Sequence, residues 1–261
     1  KRIIFIFVVL FLGHGALGAV PTGENVLLVG SGGWNSCKNG VHNQFIRVQF
    51  NNLFENLKAI FPNKKFSYIL TCADGIASVY GNRPLKYYTS EMRKGEYREV
   101  AQNRFHQVVS SALNFPNTAL YLFGHSHGGW HAMKTVEQLV APVAGLFTLE
   151  PISAAGCDAI TYLRNRNKKL FPGATRPMRS CRQAPADTHD ESISEKTEGR
   201  WWNFHLPDNQ ARGDLYSGPV KRAINVVQRI LNTSEPHHLM GMDATVWNFL
   251  CHEISRQLGA N

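Results

Sequence analysis

A serine set between two glycines, in Gly124-His125-Ser126-His127-Gly128, is the stretch of this 261-residue chain best suited to covalent chemistry. An apolar run, Ala119 to Phe123, leads into it, and Trp130, Met133, Val136, Leu139 and Val140 recur beyond it at helical spacing. The pattern predicts strand, sharp turn and helix. The turn would lift the Ser126 hydroxyl clear of a sheet, and glycine at 124 and 128 would spare the strained backbone a side-chain collision. The helix N-terminus beneath would aim backbone N–H groups and the positive end of its dipole at a developing oxyanion.

A hydroxyl becomes a good nucleophile only when a base takes its proton, and the base needs an acid to fix its tautomer. After a nucleophile elbow, acid and base follow the serine in that order. Glu150, closing the run Val143 to Leu149, is the first carboxylate after Ser126 at a strand end. Glu137 falls within the elbow helix and Asp158 in a loop, with Asp158 the alternative acid. A late histidine on a loop is needed for the base. His237 and His238 both satisfy that, whereas His252 lies inside the last helix. The run from Gly30 to Trp34, with glycine also at 32 and 33, is either a plain turn or the source of a second oxyanion donor.

Two other readings use the same residues. His125, His127 and His131 cluster after a strand as metal ligands often do, which would make the protein a metal-dependent hydrolase sensitive to chelators. A hydrolase-shaped binding protein without turnover would fail to react with an activated serine probe.

The elements that must position these residues alternate. Asn25 to Val29, Phe66 to Cys72, Ala119 to Phe123 and Val143 to Leu149 read as strands. Phe45 to Phe61, stopped by Pro62, then Val100 to Leu113, the run after the elbow, and Ala244 to Leu258 read as helices. This predicts an α/β fold with a mostly parallel central sheet and helices on both faces, its site at the carboxyl ends of the strands. Residues 74–97 read as surface loop, 172–199 as a polar excursion, and 220–231 as either strand or helix.

Hydrophobic residues make up 43% of the chain, enough for one substantial core, and one catalytic domain is expected over 20–261. Lys1 and Arg2, the apolar run Ile3 to Leu12, and then Ala16, Gly18 and Ala19 have the order of a secretory signal peptide over 1–19. That predicts a secreted or periplasmic protein, and the apolar run is too short for a permanent membrane anchor. The formal charge of +9 favours anionic neighbours, but no dense basic run supports nucleic acid as a partner. Cys157 and Cys181 bracket a polar connection and form the candidate disulfide, while Cys72 and Cys251 sit in apolar contexts as small buried hydrophobes. Asn232-Thr233-Ser234 is a glycosylation sequon if the source is eukaryotic.

Four stretches together resemble α/β hydrolases of the lipase type: Gly124 to Gly129, Leu146 to Ser153 with Cys157 following, Trp201 to His205, and His237 to Trp247. The resemblance spans most of 26–255. In such lipases the acid stands in a Leu-Asp-Pro sequence, which this chain spells Leu149, Glu150, Pro151. The resemblance implies His237 as base, because its spacing to Trp247 matches the family's spacing to a Val-Trp pair better than that of His238 does. It also implies ester hydrolysis through an acyl-serine intermediate, an oxyanion hole from the amides of His127 and of Gly32 or a neighbour, and no metal or organic cofactor.

Overall fold

The structure is a computed structural model, and it describes residues 24–32, 41–72, 75–80, 105–107, 109–111, 117–152, 188–207, 217–230 and 236–259. The expected signal peptide, Asp158, the Cys157–Cys181 pair and the sequon lie outside the described residues. Seven strands form one sheet: β1 Asn25–Ser31, β2 Lys65–Cys72, β3 Gly75–Tyr80, β4 Thr118–His125, β5 Gly145–Leu149, β6 Trp201–His205 and β7 Ile224–Val227. Their order is β3-β2-β1-β4-β5-β6-β7. All neighbours are parallel except the β2–β3 pair, so the sheet is the mostly parallel one expected.

Both faces of the sheet are covered, which is why its inner strands carry consecutive apolar residues, such as Val26 to Val29 and Ala119 to Phe123, rather than alternating ones. Val26, Leu28, Tyr121, Phe123 and Phe147 point to one side. There they meet helix α1 (Val41–Ile60) through Phe50, Leu53, Phe54 and Leu57, and helix α5 (Ala244–Gln257) through Val246, Trp247, Leu250 and Ile254. Leu27, Val29, Leu120, Leu122 and Leu146 point to the other side, onto Met133 and Val136 of helix α2 (His127–Gln138) and onto Phe105 and Val109. The Phe50 ring meets Tyr68, Phe123 and Trp247 edge-on at centroid distances of 5.5, 5.4 and 6.0 Å, joining α1, two strands and α5 in one contact.

Chain order and strand order part company at β1. The chain crosses from β1 to β2 on one side and later enters β4 on the other. Such a switch point opens a crevice at the carboxyl ends of the two strands. Ser31 and Ser126 lie there, at the ends of β1 and β4.

Three sequence expectations need correction. The 74–97 stretch is not all loop, because Gly75–Tyr80 pairs antiparallel with β2 as an edge strand suited to Ile76, Val79 and Tyr80. The 172–199 excursion ends in structure: Asp190–Glu195 forms helix α3, anchored by the fully buried Ile193, and Thr197 bridges to Val143. A single apolar anchor gave no periodic signal. Cys251 is half-buried rather than buried, with burial raising its thiol pKa. The ambiguous 220–231 stretch contains β7, a four-residue edge strand.

A short helix, α4 (Pro236–Met240), precedes α5. The turn between them is fixed by Asp243, whose carboxylate accepts the Thr245 N–H (2.7 Å) and the Gln228 side-chain amide (2.9 Å), and by Trp247 Nε1 donating to the Gly241 carbonyl at 2.9 Å. Among the described residues no helix is long and apolar enough to cross a membrane. Since Phe50 couples so many elements, Phe50→Ala is expected to lower the unfolding free energy by about 3–5 kcal/mol in urea titrations. A loss under about 1 kcal/mol would contradict its place in the packing.

Candidate active site

The turn after β4 is sharply constrained. Ser126 has φ 58° and ψ −128°, a left-handed φ that side chains rarely adopt. The turn is held by the Ser126 N–H donating to the Leu149 carbonyl (2.9 Å) and by the Ser126 carbonyl accepting from Gly129 and Ile152 (both 3.0 Å). A Cβ on Gly124 would come within 2.6 Å of the Gly128 carbonyl carbon, and one on Gly128 would strike the Ser31 carbonyl. Strand and helix can therefore close on each other only with glycine at both positions. Although Ser126 stands at the N-cap of α2, its side chain makes no capping bond.

The hydroxyl turns instead to His237. Ser126 Oγ lies 2.9 Å from His237 Nε2, and His237 Nδ1 lies 3.5 Å from Glu150 Oε2. Glu150 follows β5 with φ 48°, and its N–H donates to the Phe204 carbonyl at 2.8 Å. Its carboxylate is fully buried, a position that needs compensating donors. The Leu206 N–H donates to Oε1 at 2.6 Å and the Ser217 N–H to Oε2 at 3.0 Å. These donors favour the ionised carboxylate. With Glu150 accepting at Nδ1, the imidazole keeps its proton there and presents a lone pair at Nε2 to the serine.

The other candidate residues sort around this centre. His238 packs edge-on against the His237 ring at 5.7 Å, while the bonds to Ser126 and Glu150 come from His237. Successive residues on a helix point about 100° apart, so neighbours on α4 cannot share one target. Glu137 is paired with Lys134 at 3.0 Å. The His127 amide is the first of α2, at the helix's positive end. Gly32 requires a correction: its N–H donates to the Thr71 carbonyl at 3.0 Å, extending the β1–β2 ladder, so it is committed to the sheet rather than to an oxyanion. Its neighbour Gly33 lies outside the described residues.

The three histidines of the metal reading are engaged elsewhere. His125 Nε2 donates to the His237 carbonyl at 2.8 Å, and His127 Nδ1 to the Ile152 carbonyl at 3.1 Å. His131 Nδ1 lies 3.5 Å from Ser31 Oγ, and its ring stands 4.6 Å from that of His127. His125 faces the α4 segment, His127 the Ile152 carbonyl beyond β5, and His131 the Ser31 hydroxyl at the end of β1, so their ring nitrogens are aimed at three different partners. Among the described residues no group of His, Cys, Asp or Glu is arranged to hold a metal ion. Burial, helped by the nearby His237 and His238, pushes the His125 pKa down to about 3. Burial and the adjacent His127 hold His131 well below its ordinary value.

Sequence reasoning missed the amides of Leu206 and Ser217, which carry no side-chain signature. It also passed over Asn203, fully buried in β6, although an amide inside an apolar strand is a signal, because a buried polar group must be satisfied.

No family model matches the chain, and no curated protein matches it. Solved structures do. Est1E from Butyrivibrio proteoclasticus shares 15% identity over 88% of each chain with a TM-score of 0.44. XC6422 from Xanthomonas campestris, described as an α/β serine hydrolase without a lid, shares 12% over 92% of this chain and 84% of its own, with a TM-score of 0.43. Carboxyl esterase 2 from Tuber melanosporum shares 12% over 93% and 80%, with a TM-score of 0.41. The functional reading rests on the site's own geometry.

Two neutral buried histidines have a consequence for acid stability. The unfolded chain binds protons near pH 6.5 that these rings refuse when folded, so stability falls as pH drops below that value, for His125 down to about 3. Urea titrations between pH 7 and 4 are expected to show this fall. In His131→Phe the slope should be shallower, by up to about 1.4 kcal/mol per pH unit. An unchanged slope would mean that His131 is protonated in the native state.

Proposed function

We propose that this protein is a secreted serine hydrolase of carboxylic esters, of the lipase or esterase type, working through an acyl-serine intermediate. The observation that carries the reading is the 2.9 Å contact between Ser126 Oγ and His237 Nε2, with the buried Glu150 carboxylate behind the imidazole. Nucleophile, acid and base follow in the chain order of the α/β-hydrolase arrangement, at the carboxyl ends of parallel strands and on a late helix.

In this reading His237 Nε2 takes the hydroxyl proton as Ser126 Oγ attacks the ester carbonyl. Glu150 holds the Nδ1 proton and stabilises the imidazolium. The tetrahedral oxyanion forms against the His127 amide at the start of α2, where the helix dipole favours negative charge. His237 returns the proton to the departing alkoxide, leaving acyl-Ser126. Water, deprotonated by the same nitrogen, then releases the acid. Glu reaches one methylene further than Asp, and from the end of β5 its Oε2 comes to 3.5 Å from His237 Nδ1.

Hydrolysis of 4-nitrophenyl esters of graded chain length tests this. Ser126→Ala and His237→Ala are each expected to lower kcat by about 10⁴-fold or more, and His238→Ala by far less. Full activity in Ser126→Ala would end the reading, and a His238→Ala loss larger than that of His237→Ala would move the base by one residue. Activity lost to a chelator and restored by metal would favour the metal-dependent alternative.

A further inference from the structure

Glu150 is held by amides from two different segments, and only one of those segments is itself a strand end. Leu206 follows β6 directly, whereas Ser217 belongs to the stretch 217–220, which has no regular structure. What holds that stretch is a ladder of side-chain amides. The Asn203 side chain, fully buried within β6, donates from Nδ2 to the Gly218 carbonyl (3.2 Å) and to Asn225 Oδ1 (2.8 Å). Its Oδ1 accepts from Thr148 Oγ1 at 2.9 Å, and Trp201 Nε1 donates to the same hydroxyl at 3.1 Å. Asn225 on β7 closes the ladder: Oδ1 accepts the Val220 N–H and Nδ2 donates to the Val220 carbonyl, both at 2.8 Å. An amide so deep in a sheet is costly unless its bonds are made; here Thr148 satisfies Oδ1, and the two bonds from Nδ2 reach the Gly218 carbonyl and the asparagine that fixes Val220.

We propose that Asn203, backed by Asn225, is a positioning residue for the acid. Asn203 clamps Gly218 and Asn225 clamps Val220, and together they hold the Ser217 N–H on Glu150 Oε2, the oxygen that also faces His237 Nδ1. The inference rests on the reading of Glu150 as the acid of the triad. The consequence is electrostatic as well as geometric. A donor on Oε2 draws charge away from the oxygen that His237 sees. When the clamp loosens, the Leu206 N–H keeps the carboxylate in place through Oε1, while Oε2 bears more negative charge. That stabilises the imidazolium in the resting enzyme, so the base titrates at higher pH and the acid limb of kcat/KM moves up. Among the described residues, other groups facing the His237 ring include Ser126, the neutral His125 from β4 and His238 from α4. None of them is touched by the clamp's bonds.

The test uses Asn203→Ser and Asn225→Ala in the full chain, with 4-nitrophenyl butyrate as substrate and thermal melts as the control for folding. Asn225 lies exposed on an edge strand, so its truncation leaves the core intact. The expected result for Asn203→Ser is a fall in kcat of about tenfold with KM unchanged. Its acid limb should rise by about half a pH unit. Asn225→Ala should change in the same directions by less. If Asn203→Ser does not fold, Asn225→Ala decides alone. Folded variants with wild-type kcat, or with lowered kcat and an unmoved acid limb, would overturn the proposal, the second outcome marking a merely structural role. Glu150→Gln is measured alongside. Full activity in Glu150→Gln would sink the acid reading itself, whereas an impaired Glu150→Gln beside normal asparagine variants would overturn the clamp alone.

Discussion

The site depends on one backbone constraint, the left-handed turn at Ser126 between β4 and α2. A residue in that conformation stores strain of order 1–3 kcal/mol, and it persists only where its surroundings over-determine it. Here they do. The Leu149 carbonyl takes the serine N–H, the serine carbonyl takes two amides in return, and Gly124 and Gly128 allow strand, helix and the end of β1 to approach closer than any Cβ permits. The same closeness places the hydroxyl at the positive end of α2 and at the crevice where strand order reverses. The placing of the Ser126 hydroxyl and of the helix dipole are thus consequences of a single packing solution.

The second constraint is a buried charge. Glu150 is fully buried, and removing a carboxylate from water would force it neutral unless donors replaced its hydration. Among the described residues, backbone amides from the end of β6 and from a stretch held by the Asn203–Asn225 ladder do so. On the far side, His237 is steadied through its own backbone, because the neutral His125 ring donates to its carbonyl. The residue preceding Ser126 therefore also touches the segment that carries His237. Three strands and a short helix meet within a few hydrogen bonds, so small displacements in any of them reach the serine.

Much of this was legible from residue types and spacing. The elbow, the alternation of strands and helices, and the mostly parallel sheet followed from glycine spacing and apolar runs. Glu150 was singled out because it closes a strand after the serine. Chain order alone left His237 and His238 level, since it cannot tell which way adjacent side chains on a helix face. Backbone donors were the hardest to read. Gly32 looked suited to an oxyanion because it lacks a side chain, yet its amide continues the sheet ladder to Thr71. The amides that hold Glu150 come from Leu206 and Ser217, whose side chains say nothing of it. Edge elements were missed for a related reason: β3 lies in a stretch of loop-like composition, and α3 is anchored by Ile193 alone.

The proposed function requires that His237 activate Ser126. Intact-mass analysis after exposure of the folded protein to a fluorophosphonate tests it most directly, with peptide mapping of the adduct. One adduct per chain is expected, located on Ser126 and formed far more slowly in His237→Ala. An adduct on another residue, or an inert folded protein, would contradict it.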